Sequence, residues 1–179
     1  MKLLCPLLLL LFSLPVFSQE VIKPRPSALA IVSTRYKDTY LKITYSQPGK
    51  RGREIFGQLV PFDQVWRTGA NEATEITITR DVKINGSDLK AGSYSLFTIP
   101  ARDKWTIILN SDLGLWGAYN YNPKMDVLKF DVPANLINDG VVYEVFTLLL
   151  DQKNDKADLM MAWDRTKVTI PIQFLEPKP

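Results

Sequence analysis

The sequence predicts an all-β protein, a single-domain antiparallel β-sandwich of about nine strands behind an N-terminal signal peptide. Three observations carry that expectation. Apolar residues recur with period two and not with the helical period of about 3.6. The runs they form are closed by Gly, Pro, Asn and Asp turn chemistry, and no stretch offers an amphipathic helix.

Residues 1–18 read as the signal peptide. Lys2 supplies one positive charge, an apolar run extends to Phe12, and small residues follow, with Val16 and Ser18 suiting the cleavage rule, so the mature chain is expected to begin at Gln19. A membrane span needs about 20 apolar residues, and Pro6 and Pro15 interrupt this one. The single cysteine, Cys5, falls inside the segment to be removed and precedes the apolar run, so neither a disulfide nor a lipid anchor is expected. Export to the periplasm or beyond the cell follows from the leader, with no membrane span after cleavage. Residues 19–27 read as a flexible N-terminal segment and 28–176 as the β-sandwich domain, long enough to bury a core without staples.

Within that domain each strand has its own justification. In TYLKITY, Leu41, Ile43 and Tyr45 share one face while Lys42 and Thr44 share the other; TEITIT repeats the pattern with Ile76 and Ile78. SYSLFTIP, KWTIILN, DVLKFDVPA, VVYEVFTLLLD, ADLMMAWD and TKVTIPIQF follow, each rich in β-branched or aromatic residues. Asn85-Gly86 suits a tight type I′ turn between DVKI and SDL, and QKNDK should link a hairpin. Pro171 has no N–H for a ladder, which predicts that the last strand runs along an edge there.

Composition removes whole classes of chemistry. The chain holds no histidine, and its only cysteine is in the leader, so Ser-His-Asp and Cys-His catalysis and zinc sites built on imidazole or thiolate are excluded in the mature chain. No phosphate loop, nucleophile elbow or calcium loop is present, and no cofactor is expected. The formal charge of +3 is scattered apart from Lys50–Arg53, which offers no footprint for nucleic acid.

A resemblance rests on longer strings. GREIFGQLVPFDQVWRTGANEATEI is followed in order by INGSDLKAGSYSLFTIP, KWTIILN and WGAYNY. With its GR-x-x-FG, WRTGANEAT and GxYxLFxIP patterns, the chain resembles, over nearly its whole mature length, the exported bacterial family catalogued as domain of unknown function 2911. The resemblance implies an exported β-sandwich, in the periplasm of a Gram-negative cell or outside it. It brings no activity and no site residue with it.

The residues that do not serve the strand pattern are the site candidates. Trp66, Arg67, Asn71 and Glu72 stand in the connection before TEITIT, at a sheet margin where scaffolds carry binding groups. In one reading they are structural: Trp66 caps the core, Gly69 makes the turn and Arg67 pairs with Glu72. In the other, with Arg53, they converge on a ligand beside an aromatic wall. Trp105 alternates with Ile107 and Leu109 and should point inward, whereas LGLWGAYNYNP lacks alternation and can present Trp116, Tyr119 and Tyr121 as a platform for sugar rings. Asp151, Asn154, Asp155 and Asp158 are oxygen donors that either hold calcium or form a solvated hairpin tip.

Three function classes follow. The first is a non-catalytic binding or envelope-associated module whose partner is an envelope protein or a glycan. The second is a hydrolase of extracytoplasmic glycans working through paired carboxylates, Glu72 with Asp63 or Asp112, which must stand about 5–9.5 Å apart according to mechanism. The third is a purely architectural domain.

Overall fold

The computed structural model describes residues 23–176, so the predicted signal peptide and the first part of the 19–27 segment lie outside the described residues. Eleven strands form in order: β1 (Ala28–Tyr36), β2 (Thr39–Gln47), β3 (Thr74–Ile78), β4 (Val82–Ile84), β5 (Ser87–Leu89), β6 (Gly92–Pro100), β7 (Lys104–Asn110), β8 (Asp126–Leu136), β9 (Tyr143–Lys153), β10 (Lys156–Asp164) and β11 (Thr166–Phe174). One 3-10 turn, Pro123–Met125, precedes β8. Among the described residues no helix is long and apolar enough to cross a membrane.

All pairings between these strands are antiparallel, and they run in the continuous order β1-β2-β3-β6-β7-β8-β11-β10-β9, with the β4-β5 hairpin attached to β11. The two ends of this order approach each other. Beyond β2, Gly49 bridges Val145, the Phe146 amide donates to Pro48 O at 2.9 Å, and the Lys50 amide donates to Glu144 O at 2.6 Å. The Tyr45 hydroxyl accepts the Leu148 amide at 3.0 Å, and Thr34 Oγ1 donates to Gln152 Oε1. The all-β antiparallel expectation therefore holds, but the sheet is a nearly closed, barrel-like one. The two separate sheets of a sandwich are not confirmed, because period-two patterning fixes which side of a strand is buried and not where a sheet bends.

The turns follow their residues. Asn85 and Gly86 take φ of 48° and 81°, which the β4-β5 turn requires, and Lys153 pairs with Lys156 across the β9-β10 hairpin. Pro171 corrects the edge expectation. β11 is an interior strand with β10 on one side, and on the other side Pro171 falls between the end of pairing with β8 at Val168 and its start with β4 at Ile172. The missing donor is tolerated at a gap in the ladder as it would be at an edge.

The inner faces enclose an aromatic core. Trp66 stacks on Trp163 at 5.9 Å and meets Trp105, Phe146 and Phe56 edge to face at 6.1, 5.0 and 6.2 Å. As expected, Trp105 points inward with Ile107 and Leu109. On the opposite face of β6 and β7 a smaller cluster of Ala73, Phe97 and Ile108 is covered by Leu115, Ala118 and Tyr121. That second cluster decides where the site lies, because it seats the loop after β7 against the turn before β3.

Candidate functional site at the sheet margin

The turn between Trp66 and β3 is tightly determined. Trp66 exchanges backbone hydrogen bonds with Thr98 at 2.7 and 2.9 Å, and its indole Nε1 donates to Gly69 O at 3.0 Å. Thr68 is wholly buried with a left-handed φ of 54°, a conformation that a β-branched residue adopts only when its surroundings impose it. Its Oγ1 donates to Thr98 Oγ1 at 3.1 Å, and its carbonyl accepts Thr74 Oγ1 at 2.7 Å. Gly69 is required by close approach: a Cβ there would stand 3.0 Å from Ser46 O and 3.2 Å from Thr74 Oγ1. Asn71 repeats the left-handed conformation at φ 59°, and its amide donates to Ser46 Oγ at 3.2 Å.

The loop after β7 is stitched to this turn. Ala73 N donates to Leu115 O at 2.8 Å, Gly117 N donates to Asn71 O at 3.0 Å, and Glu72 bridges Trp116. Trp116 and Tyr119 consequently stand beside the turn with 58% and 82% of their surface exposed. Tyr121 does not join them. Its ring packs edge to face on Phe97 at 5.1 Å and its hydroxyl donates to Asp126 Oδ2 at 2.6 Å. Burial foremost, and then the Asp126 carboxylate, raises the Tyr121 pKa well above the ordinary phenol value.

The charged residues sort differently from the expected pairing. Glu72 does not take Arg67 as its partner: Arg25 Nη1 reaches both carboxylate oxygens, at 2.7 and 2.9 Å. The hydrogen bond from its own amide, and next the Arg25 guanidinium, hold the Glu72 carboxyl below its ordinary pKa. Among the described residues Arg67 has no side-chain partner. Its Nε is buried without a hydrogen bond, while its terminal nitrogens make none to the described residues and are not enclosed. Arg67 Nη1 lies beside Gly117, 3.5 Å from where a Cβ on that residue would stand, whereas the Glu72 carboxylate is held by Arg25 of the segment before β1.

Of the seven binding candidates, Arg67, Asn71, Glu72, Trp116 and Tyr119 are brought to one margin. Trp66 is not on the surface; it is 8% exposed and anchors the turn from within, as its structural reading holds. Arg53 closes its own turn, donating to Lys50 O at 3.0 Å and Gly49 O at 2.6 Å. No hydrogen bond or ion pair joins Glu72 to Asp63 or Asp112, whose backbones serve Pro100 and Ser95. At the β9-β10 tip Asp151 lies 3.5 Å from Lys153, and among the described residues no three acidic or thiol side chains are grouped to hold a metal ion.

Two residues of this margin escape a reading by pattern. Arg25 belongs to the segment before β1, which also gives Pro26 O to Arg51 Nη2 at 2.6 Å and Ser27 O to Asn71 Nδ2 at 3.5 Å. Glu75 shares with Glu72 a groove of about 180 Å³, lined also by Leu29, Thr44, Ser46 and Gly114. The outward position of Glu75 in TEITI signals exposure, but only pairing with β2 shows that it faces Leu29 and Ser46. No curated protein and no solved structure matches the chain. A family model described as protein of unknown function (DUF2911) matches residues 27–172, most of the chain and all of the margin beyond Arg25, and the protein therefore belongs to that family.

Proposed function

We propose that the protein is an exported, non-catalytic binding module of the cell envelope, released from its leader before Gln19, and that it engages a glycan or an envelope protein through the margin formed by the Arg67–Glu72 turn and the Trp116–Tyr119 loop. One observation carries the reading: two large aromatic side chains stand more than half exposed on a loop whose backbone is hydrogen-bonded to a turn bearing an arginine, an amide and a carboxylate. Exposed aromatics backed by a rigid scaffold offer stacking area at small entropic cost, and nearby polar groups set orientation. The lowered Glu72 pKa fits binding better than acid catalysis, since a general acid needs a raised one.

The test is a polysaccharide array read with the wild type and Trp116→Ala. Loss of retention with an unchanged melting temperature supports the reading, because a side chain this exposed contributes little to the core. Undiminished retention, or no retention by the wild type on any glycan or envelope extract, refutes it.

A further inference from the structure

Arg67 is an anomaly in the charge pattern. The neighbouring cations are committed: Arg25 to Glu72, Arg51 to Pro26 O, and Arg53 to the carbonyls of Gly49 and Lys50. Arg67 alone among these four has no side-chain hydrogen bond or ion pair among the described residues, although its Nε is taken out of water. The terminal nitrogens are not enclosed and make no hydrogen bond among the described residues, so the buried stem and the strained turn fix a guanidinium whose outer donors are open to something outside the chain. Thr68, next to Arg67, supplies the strain with its buried left-handed backbone.

The surroundings specify what that something is. Gly117 takes φ 69°, and a Cβ on it would lie 2.8 Å from Tyr119 Cε2 and 3.5 Å from Arg67 Nη1. The missing side chain thus lets the tyrosine ring lie against Gly117, and the guanidinium stands within ordinary contact distance of the same backbone position. Trp116, one residue before, is 58% exposed. A planar guanidinium presents paired donors that match a carboxylate, and the adjacent rings present faces that match the apolar side of a pyranose. Glu72 does not oppose an incoming anion with a free charge, because Arg25 neutralises it.

We infer that Arg67 binds the carboxylate of an acidic sugar whose ring stacks on Trp116 and Tyr119, so that the ligand is a uronic-acid saccharide. This rests on the binding reading proposed above and narrows it to one chemical class.

The experiment compares two probes that differ only at the carboxyl group, oligogalacturonate and its fully methyl-esterified form, titrated calorimetrically against the mature chain. The free acid should bind roughly tenfold or more tightly than the ester, the ratio expected for one charge-assisted hydrogen bond. Arg67→Gln should remove that preference and leave weak binding of both probes, while Trp116→Ala should weaken both alike. Equal binding of acid and ester by the wild type, or an undiminished preference in Arg67→Gln, overturns the inference and leaves the binding reading standing. Absence of binding to either probe overturns the inference too, and the array with the envelope extract then decides the broader reading separately.

Discussion

Replacing Arg67 by methionine should make the protein more stable. The guanidinium has five N–H donors; of these, the one on Nε is buried without an acceptor, and the terminal ones remain outside the enclosed interior. Only the Nε desolvation therefore enters the balance, and an unsatisfied buried donor costs about 1–3 kcal/mol. Methionine keeps an unbranched stem of similar reach, so most of the packing that the arginine methylenes make is retained. A net gain of about 1 kcal/mol results, which for a domain of this size raises the melting temperature by about 2–4 °C. Urea unfolding of the wild type and Arg67→Met measures it, with m unchanged. A loss of more than about 1 kcal/mol would show that the guanidinium is satisfied within the fold, and the case for an external partner would go with it. The double cycle of Arg67→Met with Glu72→Gln should be additive to within about 0.5 kcal/mol, since the two side chains share no bond.

Two further predictions concern the same turn. Glu72 titrates below its ordinary pKa, so the stability it contributes is complete above the unfolded-state value and disappears as pH falls through the lowered folded one. Arg25→Ala should move the NMR titration midpoint of Glu72 upward but only partway, because the larger cause, the hydrogen bond from its own amide, remains; an unmoved midpoint would dissolve the Arg25 contact. Gly69→Ala places a methyl 3.0 Å from Ser46 O. Overpacking of that kind costs about 1–3 kcal/mol, against about 0.4–1 kcal/mol recovered from the less flexible unfolded chain, for a net loss of about 1–2 kcal/mol by urea unfolding. A stabilised Gly69→Ala would mean that the turn does not sit on β2.

Strand identity was legible in the sequence because it is a local property. Leu41, Ile43 and Tyr45 alternate with polar residues whatever their neighbours are, and Asn85-Gly86 asks for two positive φ angles within its own two residues. The inward direction of Trp105 followed from the same alternation, and so did the absence of histidine chemistry from composition alone. β1 was harder to see: Leu29 and Ile31, both 60% exposed, alternate with Ala30 and Val32, so apolar residues occupy both faces and the period is erased.

What the tertiary structure decided is everything that depends on distant residues meeting. Whether the sheet folds flat on itself or curls until β9 reaches β2 is set by accumulated twist and by Gly49 bridging Val145, almost a hundred positions later. The partner of Glu72 is another case. Five positions from Arg67 is close enough to suggest a pair, yet Arg25, at a separation of 47, is the residue that reaches it. Trp116 and Tyr119 became surface residues, and Tyr121 a half-buried one, because Phe97 and Ile108 gave the loop an apolar seat on the outer face of β6 and β7. Sequence spacing constrains a side chain through the few residues on either side, whereas burial and ion pairing depend on which strands become neighbours, and that is settled by the whole sheet at once.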